Sequence, residues 1–407
     1  MNMMARAISI GIICFLVYFW VATQGTFQPK WSLDYFNPMA ASLVQGRLDL
    51  PNTPQTYDLA FFQGKWYAPW GILPAIFLIP AHILKGRYIP LVYLALFFGS
   101  LNVSFFYLLL ERVKRDFFPS MRLWEVLSVT VLFAFGTINF YLSTLGSVWQ
   151  VDQVVSASLG TLGLLVVFHK KRTPITYILS SFAFALTLLG RATIILTIFV
   201  PLTLFILDEF PNLLRIVRQG MFYFGLPCLL FVVLFFAYNY LRFGNIFEYG
   251  YSYIVEAPYL SEIRETRGIM SFANLRNNLW YFLFEVPKLT FSTRPELQFN
   301  LLGNSIFFLT PPLLAVLMAS PWYRLKKKWR FDPYIFSLWV GALITIFPSL
   351  MIYSTGWVQF GYRYSLDITP MLLLLSVFGL KGRLNILYIG GAAFALWMYW
   401  MGIHALM

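Results

Sequence analysis

The sequence predicts an all-α polytopic membrane protein, and three observations carry that reading. Of its 407 residues 59% are hydrophobic and only 12% charged, with a mean hydropathy of +0.69. Apolar runs of about 18 residues or more recur along the whole chain, the length a helix needs to cross the hydrocarbon of a bilayer. These runs are continuous rather than alternating, unlike the strands of a membrane barrel. Backbone groups in lipid must satisfy one another, so helices remain. The expected architecture is a bundle of about 11 transmembrane helices with a structured first outer loop carrying juxtamembrane helices.

Taken in order, the first span runs from about Arg6 to Thr23. Thr23-Gln24-Gly25 offers no clear small-x-small cleavage site, so the segment reads as an uncleaved signal anchor. The first outer loop, 24–88, contains the polar stretch Trp31 to Trp70, which holds Asp34, Asp49 and Asp58 in a chain with few acids. Asn37 to Gln45 has a short helical pattern that stops at Gly46. Gln63-Gly64-Lys65 reads as a tight turn between apolar flanks. Gly71 to Leu84 is apolar, short and carries two prolines, and is expected to lie at the interface or re-enter rather than span. Further spans are expected at 89–110, 123–145, 152–168, 174–190, 192–207, 221–241, 301–319, 333–353, 368–380 and 384–405. Residues 1–241 form one module, and 242–407 a second long outer loop (242–300) with the remaining helices.

The net charge of +13 does not point to nucleic acid, because no RNP-like, zinc-finger or basic-helix pattern is present. The basic clusters ERVKR, HKKR and RLKKKWR fall in short loops, where positive charge sets topology. That places the N-terminus in the cytoplasm of a plasma (inner) membrane protein and the two long loops outside. Cys14 and Cys228 lie inside apolar runs and read as packing residues. There is no P-loop, GxSxG or His/Cys cluster.

Several residues carry two readings. Asp34 is either the cap of the helix that begins near Phe36 or a general base at the membrane surface. Asp152 is either a favourable charge at a helix start or a second acid facing the first. Asp58 is a partner for Lys65 in a hairpin or a further acid of the site. Arg191 separates two apolar runs and is expected to point at a cavity, a carboxylate or a phosphate. Arg363, in GWVQFGYRYSLDITP, either pairs with Asp367 at helical spacing or binds phosphate through its planar fork of donors. Tyr249, Tyr251, Tyr253 and Tyr259 read as an aromatic belt or a sugar platform, and Glu248 and Glu256 as solvated loop residues or acceptor contacts. Arg242 and Arg294 are reserve phosphate candidates, and His82 reads as structural.

The succession WSLDYF, LVQGRLDL, GKWY and PWGILPAIFLIP, followed by a span, resembles the polytopic glycosyltransferases of the GT-C superfamily. It is similar to bacterial relatives of protein O-mannosyltransferases and lipid A aminoarabinose transferases, with RFGNIFEYGY and FGYRYSLDITP adding to the likeness. The resemblance implies transfer of a sugar from a polyprenyl-phosphate donor on the outer face, inverting at the anomeric carbon. Asp34 would match the base, Asp152 the second outer-loop acid with Asp58 beside it, and Arg363 and Arg191 the phosphate ligands. Tyr35, Tyr364 and Glu248 would contact acceptor or sugar. Asp152 stands alone in VWQVDQV rather than in a paired acidic motif, so a divalent metal is permitted but not required. The expected partners are the lipid-linked donor, the bilayer and a glycan, lipid or protein acceptor of the cell envelope. A transporter or flippase of lipid-linked sugar is the other class that fits.

Overall fold

The computed structural model describes residues 2–30, 32–51, 53, 55–86, 88–291, 295–325, 328–356 and 358–406; Trp31 and Arg294 lie outside this set. In chain order the helices are α1 (Met3–Ala22), α2 (Phe36–Val44), α3 (Leu73–Lys85), α4 (Leu91–Phe117), α5 (Leu123–Phe135), α6 (Ile138–Ser143), α7 (Val148–Val167), α8 (Pro174–Leu186), α9 (Phe199–Glu209), α10 (Leu213–Gly220), α11 (Leu226–Phe243), α12 (Pro258–Arg267), α13 (Phe272–Leu283), α14 (Ile306–Leu309), α15 (Pro333–Met351), α16 (Thr369–Gly379) and α17 (Ile386–Leu406). Three two-stranded antiparallel hairpins interrupt them: β1 (Ala60–Phe62) with β2 (Lys65–Tyr67), β3 (Lys288–Phe291) with β4 (Pro295–Gln298), and β5 (Trp322–Leu325) with β6 (Lys328–Phe331).

Among the described residues, seven helical stretches are long and apolar enough to cross a membrane: 3–22, 91–117, 148–167, 192–209, 213–243, 333–351 and 386–406. Four shorter apolar helices, 73–84, 123–135, 174–189 and 369–379, complete the bundle. The protein is a polytopic membrane protein built on helices, as its composition requires, with strands only in the three short hairpins among the described residues. Two expected spans are differently built. Leu123 to Leu145 breaks at Gly136 and Thr137 into α5 and α6. Leu301 to Ala319 is not a single helix; it forms α14 and a 3-10 turn at Pro311–Met318, because Pro311 and Pro312 remove backbone donors in mid-segment.

The helix α7 is central. Of its most apolar window 78% is buried, against 22% for α1 and 17% for the stretch 213–243, which therefore face lipid. Packing of α4 against α7 and α1, and of α8 against α7, builds this half of the bundle. Buried hydrogen bonds tie it together: Tyr18 Oη donates to the Ala134 carbonyl (2.7 Å), Asn139 Nδ2 to Tyr18 Oη (3.2 Å) and Asn102 Nδ2 to Asn139 Oδ1 (3.0 Å). In the other half α15 lies against α9 and α16.

The first loop has the local structure its residues dictate. The helix α2 ends at Gly46, whose φ of 70° is the left-handed stop that glycine adopts freely. Gln63 and Gly64 take φ of 49° and 75°, the two positive values of a tight hairpin turn, so β1 and β2 pair in the register Ala60 to Tyr67. The 13 residues of α3 are too few to cross the hydrocarbon; α3 packs on α2 and sets Phe77 4.8 Å from Phe98 of α4.

The two ends of the bundle differ. One carries the first loop, the N-terminus of α7, the turn at Arg191 and the turn before α16. The other carries Asp116, His169, Arg172 and Asp208. There Arg172 is fully engaged. It donates to Asp208 Oδ2 (2.5 and 3.1 Å), to the hydroxyls of Tyr177 and Tyr334 (2.9 Å each) and to the His169 carbonyl (2.8 Å).

Candidate active site

Three acids of the first loop part company in the structure. Asp49 pairs with Arg47 at 2.6 Å on the loop surface. Asp34 caps α2: its Oδ1 accepts the Asn37 backbone N–H (3.0 Å) and its Oδ2 the Asn37 side-chain amide (2.6 Å), with the Tyr88 hydroxyl as a further donor. Asn37 is itself buried and bonds the Ile89 carbonyl (2.8 Å), while its Oδ1 meets His82 Nε2 (3.1 Å), so His82 serves the loop's structure. Burial pushes the Asp34 carboxyl above its ordinary range against the pull of these donors.

Asp58 is not the partner of Lys65. Among the described residues it makes no ion pair, and Lys65 is exposed. Its backbone takes φ of 60°, a left-handed conformation that Asp tolerates better than most residues. Two backbone hydrogen bonds hold it there, from Asp58 N to the Val255 carbonyl (2.7 Å) and from Val255 N to the Leu59 carbonyl (2.8 Å). They join the first loop to the second. Trp149 of α7 donates its indole N–H to Asp58 Oδ2 at 3.1 Å. Burial, aided by the charge of Glu256 and opposed by Trp149 and Arg363, pushes the Asp58 carboxyl up to about 6.

Asp152 lies one turn inside α7, 7% exposed, and its Oδ1 has no hydrogen-bond partner. Arg191 reaches past it to Asp367: Nε donates to Asp367 Oδ2 at 2.7 Å. Asp367 is completed by Thr193 Oγ1 (3.1 Å) and Gln153 Nε2 (2.8 Å). The helical-spacing pair of Arg363 with Asp367 is therefore not formed, because Asp367 is committed to Arg191 176 residues away. Arg363 is left with no carboxylate at ion-pair distance among the described residues. Its Nε is buried without an acceptor, and its Nη2 approaches only the Tyr364 hydroxyl at 3.5 Å. The Tyr364 ring has the guanidinium of Arg191 4.6 Å and that of Arg363 5.0 Å from its centre. Gly71 of the first loop packs on the Leu189 carbonyl just before Arg191, so closely that any side chain at Gly71 would collide with it.

The second loop also departs from its expected form. Tyr253 and Tyr259 are exposed, but Tyr249 and Tyr251 are partly buried and stack on each other at 6.0 Å, with Tyr249 Oη 3.5 Å from the Gly190 carbonyl. They line the site rather than form a belt. Glu248 is not a free acceptor contact: its Oε1 accepts the N–H groups of Gly250 (2.6 Å) and Ser252 (3.4 Å) and shapes the loop. Glu256 accepts from Arg264 Nε (2.7 Å) and the Tyr353 hydroxyl (2.5 Å). Tyr35 is core, not an open sugar contact. It is 2% exposed, stacks on Trp70 at 5.7 Å and gives its hydroxyl to the Tyr57 carbonyl (2.6 Å). Arg242 is 3% exposed and bonds the Ala68 carbonyl and Asn239 Oδ1 (3.0 Å). Among the described residues no three His, Cys, Asp or Glu side chains gather as a metal site.

The structure thus brings Asp58, Asp152, Arg191, Arg363 and Tyr364 to one place and adds Asp367, Gln153, Trp149 and Tyr251. Asp34 stands apart, with Asn37 and Tyr88. Gln153 announced itself only as a polar neighbour of Asp152 in an apolar run, and Asp367 as the acid beside Arg363.

Among solved structures, the chain is similar to ArnT from Cupriavidus metallidurans bound to undecaprenyl phosphate, with 12% identity and a TM-score of 0.51 over 95% of this chain and 61% of that one. The fold is GT-C-like. The Archaeoglobus fulgidus oligosaccharyltransferase in its apo form aligns over 98% of this chain and 55% of its own, with 14% identity and a TM-score of 0.48. The GT-C-like chain spans about six tenths of the length of the first and just over half of the second. No protein-family model matches the sequence, and no curated protein matches it.

Proposed function

We propose that this protein is an integral-membrane glycosyltransferase that moves a sugar from a polyprenyl-phosphate donor to an acceptor hydroxyl. The observation that carries the reading is Arg363, a cation with a buried unmet donor beside two carboxylates that do not neutralise it. A buried donor without an acceptor calls for an explanation; Arg242 also has an unmet Nε but bonds through both of its other nitrogens, whereas Arg363 has no such anchoring and a ligand would supply it. The GT-C-like fold supports a lipid phosphate as that ligand, since ArnT was solved with undecaprenyl phosphate bound. Arg363 is the first phosphate ligand. Arg191, held by Asp367 and sharing the Tyr364 ring, is the second cation.

In this reading the phosphate is the leaving group, and its growing charge is stabilised by Arg363 where water is scarce. Asp34 is the general base, fixed in orientation by Asn37 and Tyr88; because it stands apart from Arg363, the acceptor hydroxyl must be held between Asp34 and the sugar, on the side of the anomeric carbon away from the phosphate, as an inverting displacement requires. Asp152 keeps an open oxygen for a donor group of the sugar or acceptor. The site lies on the outer face of the plasma (inner) membrane, with the N-terminus in the cytoplasm.

Two experiments test this. Protein in lipid discs is given a polyprenyl-phosphate sugar, and donor affinity is measured for the wild type, Arg363→Lys, Arg363→Ala and Arg191→Ala. Loss in the Arg363 variants is expected; wild-type affinity in all three places the phosphate elsewhere. A cysteine introduced at Ser120, in the exposed turn between α4 and α5, should resist an impermeant label added outside intact cells. Labelling there would invert the topology.

A further inference from the structure

Two carboxylates of the site face Arg363 electrostatically without touching it, and they differ in how they are held. Asp152 is packed within α7. Asp58 is delivered from the first loop, on a left-handed backbone that the second loop pins through Val255. Strained backbone held by its surroundings is a feature of functional positions. Trp149 fixes one oxygen of Asp58 and points the carboxyl into the site. Among the described residues no ion pair closes between Asp58 and Arg363, and the unmet Nε of Arg363 is the donor that an anion would take up.

Charge balance then decides what Asp58 must do. It faces Arg363 from the turn before α16, Glu256 and Tyr251 from the second loop, Trp149 from α7, Tyr35 and Tyr57 from the first loop and Tyr259 from α12. Glu256 is neutralised by Arg264, and Asp367 by Arg191. That leaves Arg363 against Asp58 and Asp152. A phosphate docking on Arg363 adds another negative charge, in a site already carrying more acid than base. A proton on one of these two carboxyls relieves the repulsion and turns it into a hydrogen bond; Asp58, carried on a loop and open to the second loop's side chains, is the one that can exchange with solvent, whereas Asp152 is packed within α7.

We propose that Asp58 is the acid of this site: it takes up a proton when a phosphate docks on Arg363, and gives that proton to the phosphate as the sugar departs. The proposal rests on the phosphate reading above. The acceptor's proton goes to Asp34, and its oxygen bonds the anomeric carbon. The bond from that carbon to the phosphate oxygen breaks with its electron pair on oxygen, and the Asp58 proton goes to that phosphate. Asp34 then releases a proton to water and Asp58 takes one up, so protons and charge balance over a turnover. The carboxyl of Asp58, already pushed up to about 6 by burial, is the group in the first loop closest to readiness for this exchange.

The test is calorimetric titration of the full-length protein in detergent with undecaprenyl ethyl phosphodiester, whose single charge does not titrate near neutrality. Wild type should take up one proton on binding, read as a dependence of heat on the buffer's ionisation enthalpy. Its affinity should fall as pH rises, by up to about tenfold per pH unit. Asp58→Asn should bind without proton uptake and without that pH dependence. Trp149→Phe removes a hydrogen bond that favours the ionised carboxyl, so uptake should persist with its midpoint moved to higher pH. Unchanged uptake in Asp58→Asn, or an unmoved midpoint in Trp149→Phe, overturns the assignment. Arg363→Ala separates the two claims. If it binds the diester like wild type, the phosphate reading fails and Asp58 falls with it. If it loses binding while Asp58→Asn keeps proton uptake, only the role of Asp58 fails.

Discussion

Arg172 and Arg363 occupy opposite ends of the bundle and look alike at first. Each guanidinium lies 5.0 Å from the centre of a tyrosine ring, Tyr334 in one case and Tyr364 in the other. Their remaining partners separate them. Arg172 has a carboxylate, two phenols and a carbonyl, and each of its three guanidinium nitrogens donates to at least one of them. Arg363 has a buried donor with nothing to receive it and only a distant phenol for the rest. A satisfied cation holds a fold together. An unsatisfied one stores binding capacity.

The sharpest way to break this contrast is through the carboxylate assigned to proton removal. Asp34→Asn should leave the protein folded and able to bind donor, because an amide still accepts from Asn37, while turnover falls by about 10² to 10⁴, the usual worth of a general base. Single-turnover transfer with the purified variant measures it; near wild-type rates would move the base elsewhere. Next in size is the phosphate contact. Arg363→Ala should weaken donor binding by more than about tenfold, a loss in keeping with one charge-assisted hydrogen bond, without lowering the melting temperature. Arg363→Lys should restore only part of it, since the two-point geometry is gone.

Arg172→Ala should do the reverse: donor affinity stays, and stability falls by about 1 to 3 kcal/mol as Asp208, Tyr177 and Tyr334 lose their donor. Thermal unfolding of both alanine variants side by side decides whether the two ends differ as described. The smallest effect concerns Asp58. Its carboxyl is raised in the folded state, so the folded protein binds the extra proton and gains stability at acid pH. That gain disappears as pH rises through about 6. Asp58→Asn should therefore stabilise the fold at neutral pH by on the order of 1 to 2 kcal/mol, read as a higher melting temperature, and the advantage should shrink on acidification. A variant equally or less stable at neutral pH would contradict the burial of an ionised Asp58.

How much of this was written in the sequence follows from the range of the interactions. The helix at Phe36–Val44, its stop at Gly46, the Gln63-Gly64 turn and the long apolar helices depend on neighbours a few residues away, and pattern reveals them. Asp34 was legible as a cap for the same reason. The competition for Asp367 was not: local spacing offers Arg363, and the fold delivers Arg191 from 176 residues away. The burial of Tyr35 against Trp70 and the contact of Asp58 with Trp149, 91 residues apart, were equally out of reach. Leu301 to Ala319 misled because its hydropathy is that of a span while its paired prolines divide it.

The backbone bonds between Leu59, Asp58 and Val255 also carry mechanical coupling. They sew together two loops from distant parts of the chain, and the bridge from Ala60 to Ile254 extends the seam. A pull on the second loop is therefore felt at the left-handed backbone of Asp58, with no side chain passing it on.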